Sequence, residues 1–520
     1  MREAYNQVVL ILLSGWGVAP PHESNVLSQA ELPQFRKLMK EYPTSLLKPV
    51  NFEPDILSFK YTSPELASLS LGTGKNHFQV ISWVDKLIGA PDFYDNRILK
   101  NALEQARGNN SNVHLVGLLG EGRINSSQKH LYSLLNFLVK NNFKDVFIHG
   151  ILDGEDESKQ AGLGYLQALS AKLKELNLGQ IASLSGRYYG MDRGGHWERT
   201  FEAYKALLGL AGKTDLSPME YLENNYQKDV YDFDVKPVCF SEGVKMQDKD
   251  VVLFFNSRPD YIRQLAESLS LPSFAKFERS FDPRNLFVAT LTEYEKEFPA
   301  EVILKENFID YSLSKILSEN NLKQVKISEV DKYPHTSYHF NGLSEEPFSN
   351  EEWKLVAHKE VGEYGKKTLV EKLGFEAVKY IDRDDYNFII VDFSSADLKA
   401  REGDFESIKQ EAEKIDKALG RVVDYCLARD AVAIITSDCG NIEQMLDIKT
   451  GLKDIGPNNN PLPFILVANE FRGLAGPTGD PLESDLSFLR PVGSLSVVAP
   501  TVLKLFGIKK PDAMSGDSII

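Results

Sequence analysis

The feature that most constrains this chain is a series of short, uninterrupted apolar runs spread along its length. They read "VVLILL", "VHLVGLL", "DVFIHGIL", "DVVLFFN", "FIIVDFSS", "AVAIITSD" and "PFILVAN". A run of strand length without polar alternation has to be buried on both faces, which is the pattern of a central parallel strand. Between the runs lie segments with apolar residues at helical spacing, such as "SIKQEAEKIDKALGRVVDYCLARD". Strands alternating with helices predict an α/β protein with mostly parallel sheets. Its functional loops should gather at the carboxyl ends of the strands.

The 520 residues suffice for two or three domains. The apolar run near the N-terminus, Val8 to Leu13, is too short to span a membrane or to serve as a signal sequence, and reads as a buried strand. Three widely spaced cysteines, Cys239, Cys426 and Cys439, argue against a disulfide framework and fit a reducing, cytoplasmic setting. The net charge of −15 argues against nucleic acid as a partner. A small anion can still bind where arginines cluster.

Two such clusters follow strand-like runs: "SGRYYGMDRGGHWER", with Arg187, Arg193 and Arg199, and "FFNSRPDYIRQL", with Arg258 and Arg263. Arginine forks suit phosphate, though surface ion pairing explains such residues equally well. A third stretch, "IITSDCGNIEQM", ends an apolar run in Asp438, Cys439 and Gly440. An acid at a strand end before a glycine turn is a common way to present a metal ligand.

Taken together, "GLLGEGRINSSQKHLYSLL", "HGILDGEDESKQAGLGYLQAL", "SGRYYGMDRGGHWERTFEAYKAL", "FFNSRPD", "VDKYPHTSYHFNGLSEEPF", "TSDCGNIEQM" and "NPLPFILV" resemble, in order, the blocks of the cofactor-independent phosphoglycerate mutases of the alkaline phosphatase superfamily. The resemblance implies an α/β chain of two domains. A discontinuous phosphatase-like domain would comprise residues 1–77 and 306–520, and a transferase-like domain, 78–305, would be inserted into it. It also implies a serine that takes up and returns a phosphoryl group, with two manganese ions to activate it.

At the positions carried over from the family, this sequence departs from the pattern. Ser14 stands where the resemblance implies a metal-binding aspartate, Pro64 at the nucleophilic serine, and Arg401, Cys439 and Pro457 at histidine ligands. Asp397 and Asp438 remain, and no histidine follows His358. Two aspartates cannot build two metal sites, so no metal cofactor is expected. Cys439 is either a soft ligand with these aspartates or a small buried residue in a histidine's place. Ser63, next to Pro64, is the replacement nucleophile to consider. Arg401 is expected to enter the vacated site between Asp397 and Asp438, or else to be a solvated charge.

On the substrate side the resemblance carries over Arg187, Arg193, Arg258, Asp156 and Lys332. Asn125 replaces a histidine, Glu155 an arginine and Tyr261 another arginine. A carboxylate in a phosphate pocket weakens anion binding. The leading expectation is a mutase homologue without the two-metal reaction, with a binding, regulatory or scaffolding role and a phosphate-bearing small molecule as ligand. No membrane partner is expected, and the sequence names no protein partner. The alternative is an active mutase, converting 3-phosphoglycerate to 2-phosphoglycerate, or a phosphatase using Ser63 and a rearranged metal site.

Overall fold

The computed structural model describes residues 4–50, 62–78, 80–240, 245–279, 285–305, 309–357, 367–447, 450–476 and 485–520. The expected domain junction at residue 306 lies outside these. The chain forms two compact units, Met1–Gln79 with Phe308–Ile520, and Val80–Asn307.

The first unit is built on an eight-stranded sheet. Its spatial order is Glu351–Val356, Gln324–Glu329, Phe388–Asp392, Val8–Leu12, Val432–Thr436, Leu462–Val467, Thr44–Lys48 and Pro491–Ser494. The first five strands are parallel. Leu462–Val467 runs antiparallel to both neighbours, and the last two strands are again parallel. Val8–Leu12 sits in the middle and is buried along its whole length, as its unbroken apolar sequence requires. The long helix Phe405–Ala428 buries Ile408, Ala412, Ile415, Leu419, Val422 and Cys426, a stripe at three- and four-residue spacing. Cys426 is therefore a core residue. Helix Leu369–Ile381 begins with a capping box between Thr368 and Glu371.

The second unit carries its own eight-stranded sheet, in the order Glu301–Val302, Phe287–Thr290, Val251–Phe254, Val113–Leu119, Val146–Leu152, Gln180–Gly186, Val238–Phe240 and Gly212–Thr214. Every adjacent pair is parallel except Gln180–Gly186 with Val238–Phe240. Among the described residues, no helix is long and apolar enough to cross a membrane.

Sheet register fixes where chemistry can gather. In the first unit, Leu12 lies level with Asp392 on one side and Thr436 on the other. The loops that follow these three strands carry Ser14, Asp397 and Asp438, so neighbouring strands deliver them to one place. In the second unit, Leu119 lies level with Leu152, and Leu152 with Gly186. The residues that follow are therefore Asn125, the Asp153–Asp156 turn and Arg187.

Candidate functional site

In the first unit, the loop after Val8–Leu12 turns at Gly15, where φ is +82°. A Cβ there would lie 2.8 Å from the Asp397 Cβ, so only glycine lets the loop pass this closely. Asp397 is buried in the first turn of helix Ser395–Ala400. Asp438 and Cys439 follow strand Val432–Thr436 and are buried too.

Between the two aspartates sits Lys332, at the end of a short 3₁₀ turn that follows strand Gln324–Glu329. Its Nζ lies 3.0 Å from Asp397 Oδ2 and 3.4 Å from Asp438 Oδ2, and its side chain is 1% exposed. Burial alone would lower the pKa of this ammonium, but the charges of Asp438 and Asp397 outweigh it and hold the group well above the usual lysine value. Burial would likewise raise the Asp438 carboxyl, yet Lys332 and His335 keep it below its usual value.

The surrounding side chains are tied in. Asn441 Nδ2 donates to Asp397 Oδ1 at 2.7 Å. Ser14 Oγ donates to Asp392 Oδ1 at 2.8 Å, and Ser394 donates to Glu329. Burial, and then the charge of Asp438, push the Asp392 carboxyl up to about 8, so it keeps its proton at neutral pH. Burial and the same aspartates push the Cys439 thiol well above its usual value. Cys439 stays a thiol and donates to Asp438 Oδ1 at 3.3 Å. Among the described residues no group of three or more histidine, cysteine and acidic side chains is placed to hold a metal ion, which favours the packing role for this buried residue.

Arg401 does not enter the site. It is exposed, at the carboxyl end of helix Ser395–Ala400. Residues four apart share a helix face only while the helix continues, and here it stops at Ala400, with Gly403 turning the chain at positive φ. The cation among the aspartates is Lys332.

The segment to which the resemblance carries over the nucleophile is a helix start. Pro64 opens helix Pro64–Thr73, and Ser63 is its N-cap, accepting from the Leu66 N–H. The Ser63 hydroxyl donates to Glu65 Oε2 at 2.7 Å. Both of its hydrogen-bonding roles are thus used locally. The Pro457 carbonyl accepts from the Thr62 N–H, so this replaced ligand position adjoins the Ser63 segment. Glu443, buried nearby, accepts from the Gly17 and Asn441 N–H groups and from the Asn458 and Asn460 amides, tying three loops together.

In the second unit, Arg187 is 2% exposed and faces three carboxylates: Asp153 at 2.7 Å, Asp156 at 2.8 Å and Glu155 at 3.1 Å. Burial would lower its pKa, but the hydrogen bonds to Asp156 and Asp153 more than reverse this. Asn125 donates to Asp156 at 2.7 Å. Tyr261 lies between two guanidinium groups, Arg187 at 4.5 Å and Arg193 at 4.4 Å from its ring centre. Arg258 turns to Asp260 at 2.6 Å, and Arg263 to Glu267 and Glu295. Arg187, Arg193, Asp156 and Asn125 are thus brought together; Arg258 adjoins them, its backbone N–H donating to the Asn125 carbonyl at 3.2 Å, while its side chain pairs with Asp260. Arg199, the remaining arginine of its cluster, pairs with Asp192 at 3.2 Å.

The structure adds Asp392, Asn441 and Glu443 in the first unit and Asp153 in the second. Asp392 and Asp153 carry a readable signal, an acid at the end of an apolar run.

A family model described as "BPG-independent PGAM N-terminus" matches residues 84–296. A 2,3-bisphosphoglycerate-independent phosphoglycerate mutase from Clostridium botulinum is 33% identical over 520 residues, which is 99% of each chain. The chain belongs to this mutase family. A second relative, from Symbiobacterium thermophilum, is 35% identical over 99% of this chain and 97% of its own. Among solved structures, a Leishmania mexicana phosphoglycerate mutase, crystallised at low cobalt concentration, aligns over 99% of this chain and 98% of its own. With a TM-score of 0.60 and 21% identity, that likeness speaks to the shared fold. Within the mutase family, then, this chain combines full-length similarity with a lysine between Asp397 and Asp438.

Proposed function

We propose that this chain is a phosphoglycerate mutase homologue that does not carry out the two-metal phosphoryl transfer and acts instead as a binding or regulatory protein. The observation that carries this reading is the Lys332 ammonium, paired with both Asp397 and Asp438 where the family resemblance places metal. Phosphoryl transfer through an enzyme serine needs a hydroxyl free to attack and a cation to activate it. Pro64 has no hydroxyl, and the neighbouring Ser63 hydroxyl is held by Glu65 and the Leu66 N–H. Ser63 as a substitute nucleophile, for mutase or phosphatase activity, is the second reading: Glu65 lies at base distance from its hydroxyl, but attack would cost the cap on the Leu66 N–H.

The second unit favours weak anion binding. Arg187 spends its charge on three carboxylates, while Arg193 is exposed and, among the described residues, makes no ion pair. A phosphate-bearing small molecule would meet Arg193 and Tyr261 first, with Glu155 opposing it. The test is a mutase assay on purified protein with 3-phosphoglycerate and added manganese. No turnover above background is expected. Turnover on the order of 10 per second, an ordinary enzyme rate, would overturn the reading.

A further inference from the structure

The side chains around Lys332 do not fit the two manganese ions that the family resemblance implies. Ser14 is hydrogen-bonded to Asp392, Pro64 and Pro457 have no side-chain donor atom, and Arg401 is an exposed cation. Cys439 Sγ lies 3.3 Å from Asp438 Oδ1 and is buried in the loop. The two aspartate oxygens that remain are the ones that Lys332 meets, Oδ2 of each. A divalent ion bridging the two carboxylates would sit roughly 2.0–2.6 Å from each oxygen, in the space between them that the Lys332 ammonium fills.

Resting on the functional reading above, we infer that Lys332 is a tethered counter-ion, which holds the Asp397 and Asp438 loops together as a bound dication would and keeps divalent ions out. Three separate elements converge here. Asp397 comes from the loop and helix after Phe388–Asp392, Asp438 from the loop after Val432–Thr436, and Lys332 from the turn after Gln324–Glu329. The first two flank the central strand Val8–Leu12 on opposite sides. Their carboxylates repel unless a positive charge lies between them. A cation fixed to the chain is always present, whereas an ion from solution has to be captured, so tethering gives Lys332 the advantage of a high effective concentration. Asn441 completes the arrangement by taking the Asp397 oxygen that Lys332 leaves.

The test compares thermal unfolding of the full chain and its Lys332→Met variant, each in chelator and in millimolar manganese chloride. Methionine keeps the length and loses the charge. The wild-type midpoint should be the same in both buffers. The variant midpoint should be several degrees lower in chelator and should rise with manganese, with calorimetry giving one ion per chain. A wild-type midpoint that responds to manganese as strongly as the variant's would overturn the inference, as would a variant indifferent to it. Should Lys332→Met fail to fold in either buffer, the double variant Lys332→Met/Asp397→Asn, which removes one charge of each sign, should fold and ignore manganese. A double variant that also fails to fold would overturn the inference. Manganese-dependent mutase turnover by the wild type would sink the functional reading, whereas a manganese-indifferent Lys332→Met protein that remains inactive would sink the counter-ion alone.

Discussion

The Glu155 carboxylate lies 3.1 Å from the Arg187 guanidinium, Oε2 to Nε, and is the most exposed of the three acids around that arginine. It stands where the family resemblance places an arginine, so the position has changed sign. Glu155→Ala should therefore tighten binding of 3-phosphoglycerate. Glu155 is 47% exposed, and solvent screening limits the gain to about fivefold, ~1 kcal/mol. Calorimetric titration of both proteins reads this directly, and equal dissociation constants would show that Glu155 does not oppose the ligand.

Arg401 and Lys332 should behave oppositely on truncation. Arg401 is solvated, so Arg401→Ala should change unfolding free energy by no more than about 0.5 kcal/mol. Lys332→Ala leaves two buried carboxyl groups without their cation and should cost ~3–5 kcal/mol. Urea denaturation of the two variants decides. A large loss for Arg401→Ala would mean that this arginine supports the site after all.

Gly15→Ala should be destabilising beyond its backbone strain. The positive φ costs ~1 kcal/mol for an L-residue. The added methyl also meets the Asp397 Cβ at 2.8 Å, and the loop or Asp397 has to move. The total should reach ~2–4 kcal/mol. A near-wild-type unfolding midpoint for Gly15→Ala would show that this loop is softer than its packing implies.

Acid sensitivity should come partly from a buried polar chain in the second unit. Asp250 meets His114 at 3.0 Å, His114 meets His149 at 2.9 Å, and His149 meets Ser183 at 2.7 Å. Burial, and then neighbouring His114, hold His149 well below the usual histidine value. The folded chain keeps His149 neutral, while the unfolded chain protonates it below about pH 6.5. The stability it contributes is therefore intact above that pH and falls below it by about 1.4 kcal/mol per pH unit. His77 and His335, both pushed down to about 4 chiefly by burial, act in the same direction. His149→Gln should lower the proton uptake on unfolding by close to one, seen as a shallower fall in urea stability below about pH 6.5. An unchanged slope would rule out His149 as a contributor.

The strands most legible in the sequence are those buried on both faces, Val8–Leu12 and Val432–Thr436 among them. Gln324–Glu329 is not legible, because it carries charged residues where a buried strand should be apolar, and Glu351–Val356 is not, because it is a half-exposed edge strand rich in polar residues. The charges cancel across the pair: Lys326 Nζ lies 2.8 Å from Glu351 Oε1, and both side chains are buried. Asp438 stands out as an acid at a strand end, and the same signature at Asp392 is equally plain, whereas Asp397, in a helix five residues past its strand, is found through the resemblance alone. The resemblance marks Lys332 as a lysine near the transferred phosphate, but its pairing with both aspartates is not readable, since nothing local links it to either. Arg401 shows the opposite error: four residues from Asp397 is close in sequence, but a helix end sends its side chain to solvent.

The division of the first unit into Met1–Gln79 and Phe308–Ile520 has a consequence for synthesis. Val8–Leu12 leaves the ribosome before Val80–Asn307, yet both its sheet neighbours, Phe388–Asp392 and Val432–Thr436, are translated after the whole of that unit. The contiguous unit can close on itself while the most apolar strand of the other waits, unpaired and exposed to association. Nascent chains stalled just before Phe388 should therefore contain a protease-resistant core from Val80 to Asn307 and a readily cleaved N-terminal segment. Such chains should also recruit chaperones through Val8–Leu12, so that strand spends the synthesis of Val80–Asn307 as a client before it becomes the centre of a sheet.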